Sequence, residues 1–241
     1  MRQVIENRPL SAGALVTAAA LFGSLYIIRA SIGASSFVSY LQAVLYQFTL
    51  GASLLTVLGW WREAGFTPVS AWRHHKIFLV PLLAALSPLL TLRPIADIGL
   101  PILPAGVYLL VSLAEETLFR GLLLRILKPL GLLPATAYGA ALFGIFHMLR
   151  LFLGENPTAV WMQAAHASAV GFAYGAFRWR TNNIWPLILI HALYNSLLSL
   201  GSGQSTPVGT EILFIPLAVD GFLVAFGFRL LQLEKRERPP E

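Results

Sequence analysis

Two adjacent glutamates and two arginines, Arg120 and Arg125, interrupt the otherwise apolar stretch AEETLFRGLLLRIL, between Ala114 and Leu127. A carboxylate at membrane depth costs roughly 2.5 to 3.5 kcal/mol even on lenient insertion scales, so both acids must face a polar interior rather than lipid. Residues four apart share a helix face, so Glu116 lies beside Arg120, whereas Glu115 points about 100° away. Glu115 therefore has no partner in its own helix, and another part of the chain must supply one.

Further polar side chains lie in later apolar stretches. FGIFH places Phe143 and His147 one turn apart, and HALYN places His191 and Asn195 four residues apart, so each pair shares a helix face. Each of these groups needs a buried partner, as Glu115 does. We therefore expect them to line one polar cavity.

Two other polar residues have simpler interpretations. A single histidine in an apolar helix is more often a hydrogen-bonded packing residue than a catalyst, and this is the first interpretation of His166. An extra metal ligand or an acid in the cavity is the alternative. Asp220 has no motif around it, so we interpret it as a structural or helix-pairing residue.

A buried glutamate and a histidine, facing a second histidine and an asparagine, suit the activation of water. Glu115 can act as a general base toward a water that His147 holds, while His191 and Asn195 offer donors to an oxyanion. Other intramembrane hydrolases lack support, because the sequence contains neither Gly-x-Ser-x-Gly nor His-Glu-x-x-His. Asp97 and Asp220 also lack a Gly-x-Gly-Asp context. The pattern favours an intramembrane endopeptidase.

Composition places these groups in a membrane. The 241 residues are 56% hydrophobic and 12% charged, whereas soluble domains are about 25% charged. Cysteine is absent, which excludes disulfides and thiolate metal sites. We expect an all-α, polytopic protein with a polar intramembrane cavity. It forms one integral membrane domain over residues 1–241, and its charged tail, 234–241, is expected to be disordered.

Apolar runs of about 20 residues suit membrane crossing, and about eight spans are predicted. Their approximate positions are 10–28, 37–61, 77–92, 99–119, 132–149, 158–177, 184–200 and 211–231. Pro81 and Pro88 should kink the third span. Gly171 and Gly175 have the small-xxx-small spacing of close helix packing, and we expect them to bring the seventh span close to the sixth.

The basic residues indicate topology rather than a nucleic-acid partner. The net charge is +6, but lysines and arginines occur singly at the ends of apolar runs. With the amino terminus inside, fourteen of the seventeen fall on the cytoplasmic side. This distribution predicts a multi-pass protein with both termini cytoplasmic. Its compactness suggests the inner membrane of a prokaryote.

Three motifs occur in order on successive spans: Glu-Glu-x-x-x-Arg at 115–120, Phe-x-x-x-His at 143–147 and His-x-x-x-Asn at 191–195. Together they resemble the CAAX protease and bacteriocin-processing family (CPBP, or Abi), which includes the type II CAAX prenyl endopeptidases. The resemblance covers about residues 100–200. It implies an intramembrane endopeptidase acting on a peptide or protein substrate that is lipidated or carries a C-terminal sorting segment.

The resemblance also implies roles for individual residues. Glu115 activates the water, His147 helps to hold it, and His191 with Asn195 stabilises the oxyanion. Glu116 joins this catalytic set, and the residues that shape the site are Glu116, Arg120 and Phe143. The family has been described both as metal-dependent and as metal-free. The cofactor is therefore none or one divalent metal such as zinc, with Glu115, His147 and His191 as candidate ligands.

Two other functions remain open at this point. A catalytically silent immunity or scaffold protein could keep the same fold. A membrane haem protein could use His147, His166 or His191 as axial ligands.

Overall fold

The computed structural model describes residues 2–31, 36–68, 75–90, 102–201 and 210–237, and these form helices and turns without a strand. The predicted all-α class is confirmed for this part of the chain. The principal helices are α1 (Pro9–Ala30), α2 (Ser36–Leu58), α3 (Leu79–Ala85), α4 (Ile102–Glu116), α5 (Leu132–His147), α6 (Pro157–Thr181), α7 (Trp185–Gly201) and α8 (Thr210–Glu237). Asp97 lies outside the described residues.

Four described helical stretches are long and apolar enough to cross a membrane: Pro9–Ala30, Phe37–Leu58, Leu132–Phe152 and Pro216–Glu237. Two further apolar helices, Lys76–Ala85 and Trp185–Leu200, are shorter. The chain is thus an integral membrane protein, but the prediction of about eight spans is not confirmed.

The third predicted span shows one reason for this difference. Pro81 and Pro88 lie in a region that divides into a 3₁₀ turn (His75–Phe78), the short helix α3 and a second 3₁₀ turn (Ser87–Leu90). Proline lacks the N–H that a continuous helix needs and disfavours a helical conformation in the residue before it. The expected kink is therefore a division into pieces, each much shorter than a span.

Helix α4 continues as a π-helical segment, Thr117–Leu123, before a last α-helical turn. The N–H of Leu124 donates to the carbonyl of Phe119, five residues earlier, as π-helical geometry requires. All seven residues of the segment are buried. Arg120, which is 3% exposed, therefore lies inside the helix bundle beside the acids.

Glycines allow α5 and α6 to pack closely. A Cβ atom on Gly171 would lie 3.1 Å from the Cα of Ala140, and one on Gly175 would lie 3.0 Å from the Cγ2 of Thr136. Both neighbours belong to α5, so the prediction that these glycines bring the seventh span close is wrong. Their spacing predicts a close approach, but it contains nothing that selects the partner helix.

The two ends of the described chain meet at one end of the bundle. Arg125, after α4, pairs with Glu6 at 3.1 Å, and Arg180, at the end of α6, pairs with Glu237 of α8 at 2.5 Å. Helix α8 continues to Glu237, so the expected disorder of the tail is wrong for residues 234–237. The ion pair with Arg180 gives this last turn a partner that the sequence pattern does not reveal.

Candidate active site

Glu116 is the most enclosed acid of the site. Its side chain is fully buried, and its Oε1 atom accepts hydrogen bonds from Nη1 of Arg120 at 3.0 Å and from Nδ1 of His191 at 2.9 Å. The predicted pairing of Glu116 with Arg120 is present. The structure adds a third member, His191, because α7 packs against α4.

His191 lies between the two carboxylates of α4. Because its Nδ1–H donates to Glu116, its Nε2 atom is the one that faces Glu115, at 3.7 Å from Oε2. Glu115 is 12% exposed. The partner that Glu115 lacks in its own helix is thus supplied by the seventh span, at a distance longer than a direct hydrogen bond.

Phe143 of α5 packs against the groups that carry charge. The guanidinium carbon of Arg120 lies 4.0 Å from the centre of its ring, a cation–π distance. The imidazole of His147 lies 4.7 Å from the same ring, and that of His191 lies 6.4 Å away, both edge-on. Phe143 is therefore a shared packing partner of Arg120 and of both imidazoles.

His147 is held by its own helix. Its Nδ1 atom lies 2.9 Å from the carbonyl oxygen of Phe143, and this is its one hydrogen bond within the described part of the chain. A carbonyl only accepts, so Nδ1 carries the proton and Nε2 of the neutral ring has a free lone pair. The ring can therefore accept a hydrogen bond from a water molecule.

A cavity of about 610 Å³ connects the predicted site residues of two helices. Phe143 and His147 line it from α5, and His191 and Asn195 line it from α7. Glu115 does not line this cavity, but it lies beside His191, which does. Most of the remaining lining is apolar, with Met162, Val170, Leu198, Leu217 and Leu223 among the side chains.

A second histidine and acid face the same cavity. Nδ1 of His166, on α6, lies 2.6 Å from Oδ1 of Asp220, on α8, and the ring stacks on Tyr194 at 5.3 Å between centroids. Asp220 therefore pairs two helices, as its sequence context predicted. His166 is a hydrogen-bonded residue of the cavity wall.

Sequence reasoning missed Tyr174. Its ring lies 5.4 Å from the guanidinium carbon of Arg120 and 6.3 Å from the imidazole of His191. Tyr174 follows His166 by eight residues, which places both on one face of α6. This spacing could have identified Tyr174 as a residue of the site. It does so only when that face of α6 is known to line the cavity.

The candidate metal ligands are Glu115, His147 and His191. Within the described residues, no group of three or more His, Asp or Glu side chains is arranged to hold a metal ion. The residues as arranged do not fit a three-ligand site, and a divalent metal stays a prediction from the resemblance.

Comparison with known families gives one match. The family described as "Type II CAAX prenyl endopeptidase Rce1-like" matches residues 97–197, a range that contains all three motifs. No curated protein and no solved structure matches. The resemblance to the CAAX proteases is confirmed, and it supports a CAAX-type intramembrane protease, a hydrolase, in general terms.

Proposed function

From the premise that residues 97–197 are Rce1-like, we propose that the protein hydrolyses a peptide bond inside the membrane, with Glu115 as the base. In this mechanism Glu115 takes a proton from a water molecule, and the resulting hydroxide attacks the scissile carbonyl carbon. The same proton then passes to the leaving amine as the C–N bond breaks. No step is assigned to a metal ion.

His147 holds the water in this proposal. The Nδ1–H of His147 is occupied by the carbonyl of Phe143, so Nε2 is available as an acceptor. A water that donates one hydrogen to Nε2 and the other to Glu115 has its oxygen lone pairs free to attack the carbonyl. A negative charge on Glu115 would strengthen the hydrogen bond from this water, because the Glu115 side chain is only 12% exposed.

His191 and Asn195 supply donors to the oxyanion. Asn195 lies four residues after His191 on α7, and both line the cavity. An amide N–H and the Nε2–H of a protonated imidazole both stabilise developing negative charge. Glu116 and Arg120 act on the reaction through His191, because the Nδ1–H bond to Glu116 sets the orientation of its ring.

The position of His191 between two carboxylates is the observation that carries the proposal. A purely structural ion pair needs one acid, and Glu116 with Arg120 already satisfies that need. Glu115 is a second, partly exposed acid with no arginine or lysine as an ion-pair partner among the described residues. Placing such an acid inside a membrane protein costs free energy, and its presence therefore indicates a function.

The cavity also favours a class of substrate. Its apolar walls suit a hydrophobic segment, while its polar end suits a peptide bond. A membrane-associated peptide, lipidated or carrying a C-terminal sorting segment, has both features. We further propose that the protein resides in a prokaryotic inner membrane with both termini in the cytoplasm, which reporter fusions at each terminus would test.

Comparative proteomics tests the activity and identifies the substrate. The source organism is compared in four forms: wild type, deletion, Glu115→Gln and Asp220→Asn. We expect the same membrane precursors to accumulate uncut in the deletion and in Glu115→Gln, and to be processed in Asp220→Asn. Normal processing in Glu115→Gln, at equal protein levels, would contradict the assignment of the base. A deletion phenotype that Glu115→Gln fully rescues would favour the silent immunity or scaffold protein.

A further inference from the structure

A second pocket, outside the catalytic cavity, is rich in positive charge. It measures about 420 Å³ and lies where α6 ends and where the extension of α4 ends. Five cationic side chains line it: Arg62, Arg120, Arg125, Lys128 and Arg178. Two carboxylates also line it, Glu63 and Glu234. We call it the basic pocket.

The two carboxylates of the basic pocket already have cationic partners. Glu63 pairs with Arg125, and Glu234 pairs with Arg180 at 3.3 Å. Arg120, in turn, pairs with Glu116 on the side of the active site. The carboxylates therefore leave an excess of positive charge in the basic pocket.

Arg178 contributes a buried positive charge to the basic pocket. It is 4% exposed, and its three nitrogens donate to neutral oxygens: the carbonyls of Ala64 at 3.0 Å and Glu63 at 2.5 Å, and Oδ1 of Asn182 at 2.7 Å. No carboxylate lies within ion-pair distance of Arg178 among the described residues. A buried charge is normally paired with an opposite charge.

Arg120 also lines the basic pocket. Its Nη2 atom is buried and has no hydrogen-bond partner among the described residues. The negative end of the α6 dipole offsets part of the charge of Arg178, because Arg178 lies in the last turn. The dipole provides no hydrogen-bond acceptor in the basic pocket, so an oxygen-rich anion is the group that would match its excess of positive charge.

The surroundings of the basic pocket identify the source of this anion. Trp179 lines the pocket, and Trp61 and Trp185 lie at the same end of the bundle, joined edge-on through Phe66. Tryptophans concentrate at the level of the lipid headgroups. Arg62 and Lys128 are exposed beside the pocket, where cations attract anionic lipids.

We propose that the basic pocket binds the phosphate of an anionic phospholipid headgroup. Guanidinium groups bind phosphate oxygens through paired N–H donors, and both Arg178 and Arg120 line the pocket. The proposal does not depend on proteolysis, because its test measures binding. Arg120 would nevertheless contact both the lipid and Glu116.

Lipid binding can be measured with the full chain in detergent. Brominated phosphatidylglycerol is titrated while tryptophan fluorescence is recorded, because bromine quenches nearby indoles and Trp179 lines the basic pocket. We expect saturable quenching that brominated phosphatidylcholine does not reproduce and that Trp179→Phe reduces. Equal quenching by the two lipids would overturn the proposal.

Charge variants test whether the basic pocket is the site. Arg62→Gln with Lys128→Gln removes two exposed cations of the pocket lining, and we expect affinity to fall on the order of tenfold. Lys235→Gln with Arg236→Gln removes two exposed cations from α8 at the same end of the bundle, outside the pocket lining. This control should change affinity less than about threefold. Equal losses in both double variants would show general surface attraction and contradict the proposal.

Two further arms complete the test. Inorganic phosphate at millimolar concentration should not displace the lipid, and full displacement would identify a site for the free anion instead. Phosphatidylglycerol should also raise the Tm of the wild type more than that of Arg62→Gln/Lys128→Gln, because a ligand stabilises the state that binds it. Arg178 itself is left unchanged, since it also joins α6 to the loop after α2.

Discussion

Two histidines with acidic neighbours face one cavity, and their surroundings differ. His191 contacts two carboxylates, one at each ring nitrogen, and one of those acids is already neutralised by Arg120. His166 contacts one carboxylate, Asp220, at one nitrogen, and its Nε2 is buried without a partner among the described residues.

The difference distinguishes the arrangement that we propose to be catalytic from one that we interpret as structural. In the pair of His166 and Asp220, one acid matches one imidazole across two helices. The group around His191 contains an additional acid, Glu115, which the pairing of charges does not require. The following predictions test whether that additional acid is the functional one.

Glu115→Gln should have the largest effect. It keeps the size of the side chain and removes the base, so we expect peptide cleavage to fall at least about 100-fold and up to about 10⁴-fold. The rate is measured with the purified protein in proteoliposomes, on a precursor identified by proteomics. Unchanged gel filtration and circular dichroism would show that the fold is intact. Substantial residual turnover would mean that Glu115 is not the base.

Glu116→Gln should mainly reduce stability. It leaves Arg120 charged and buried against the ring of Phe143, and breaking a buried ion pair costs about 3 kcal/mol or more. The free energy of unfolding is measured by reversible denaturation in mixed micelles. Arg120→Gln alone should cost a similar amount, and the double variant should lose less than the sum of the two. Additive losses would contradict the coupling.

Asn195→Leu should reduce kcat while leaving the stability nearly unchanged. Loss of one oxyanion donor typically costs about 10²- to 10³-fold in kcat. Asn195 has no hydrogen bond to the described residues that its removal would break. Tyr194→Phe, at the neighbouring position, serves as the control, with an expected change below about threefold. An equal loss in both variants would indicate a general disturbance of α7.

Asp220→Asn should have a small effect on cleavage. It preserves a hydrogen bond to His166 and removes a charge, so we expect a loss of about 1 to 2 kcal/mol in stability. The rate of cleavage should change less than about threefold in the same proteoliposomes. A loss as large as that of Glu115→Gln would remove the distinction between the two histidines and would assign a catalytic role to His166.

Chelation should have no effect on the rate if no metal takes part. The measurement compares cleavage before and after treatment with a strong chelator, with elemental analysis of the purified protein. The three candidate ligands are Glu115, His147 and His191. Inactivation by the chelator, reversed by zinc, would show that these side chains move together on binding a metal and would replace the mechanism proposed here.

Much of the site followed from local spacing. Glu116 and Arg120 are four apart on one helix, and the structure pairs them at 3.0 Å. The same geometry predicted that the partner of Glu115 would come from another helix, and His191 of α7 is that partner. These results follow from the α-helical repeat and from the cost of an isolated acid in a membrane.

Other features could not be predicted from spacing. The π-helical segment Thr117–Leu123 has no sequence signature in this chain, because apolar residues suit an α-helix equally well. The pair of His166 and Asp220 joins residues 54 positions apart. The partner of Gly171 and Gly175 is α5 rather than α7, which depends on how the helices are arranged around each other.

By itself the sequence determined that this chain enters a membrane as helices and that its few buried polar groups must meet one another. Hydropathy and the cost of unpaired charge require this for any arrangement of the helices. Only the tertiary structure decided that His191 contacts both glutamates and that Phe143 packs edge-on against both His147 and His191. Those contacts depend on the packing of side chains from different helices, which no repeat along a single helix records.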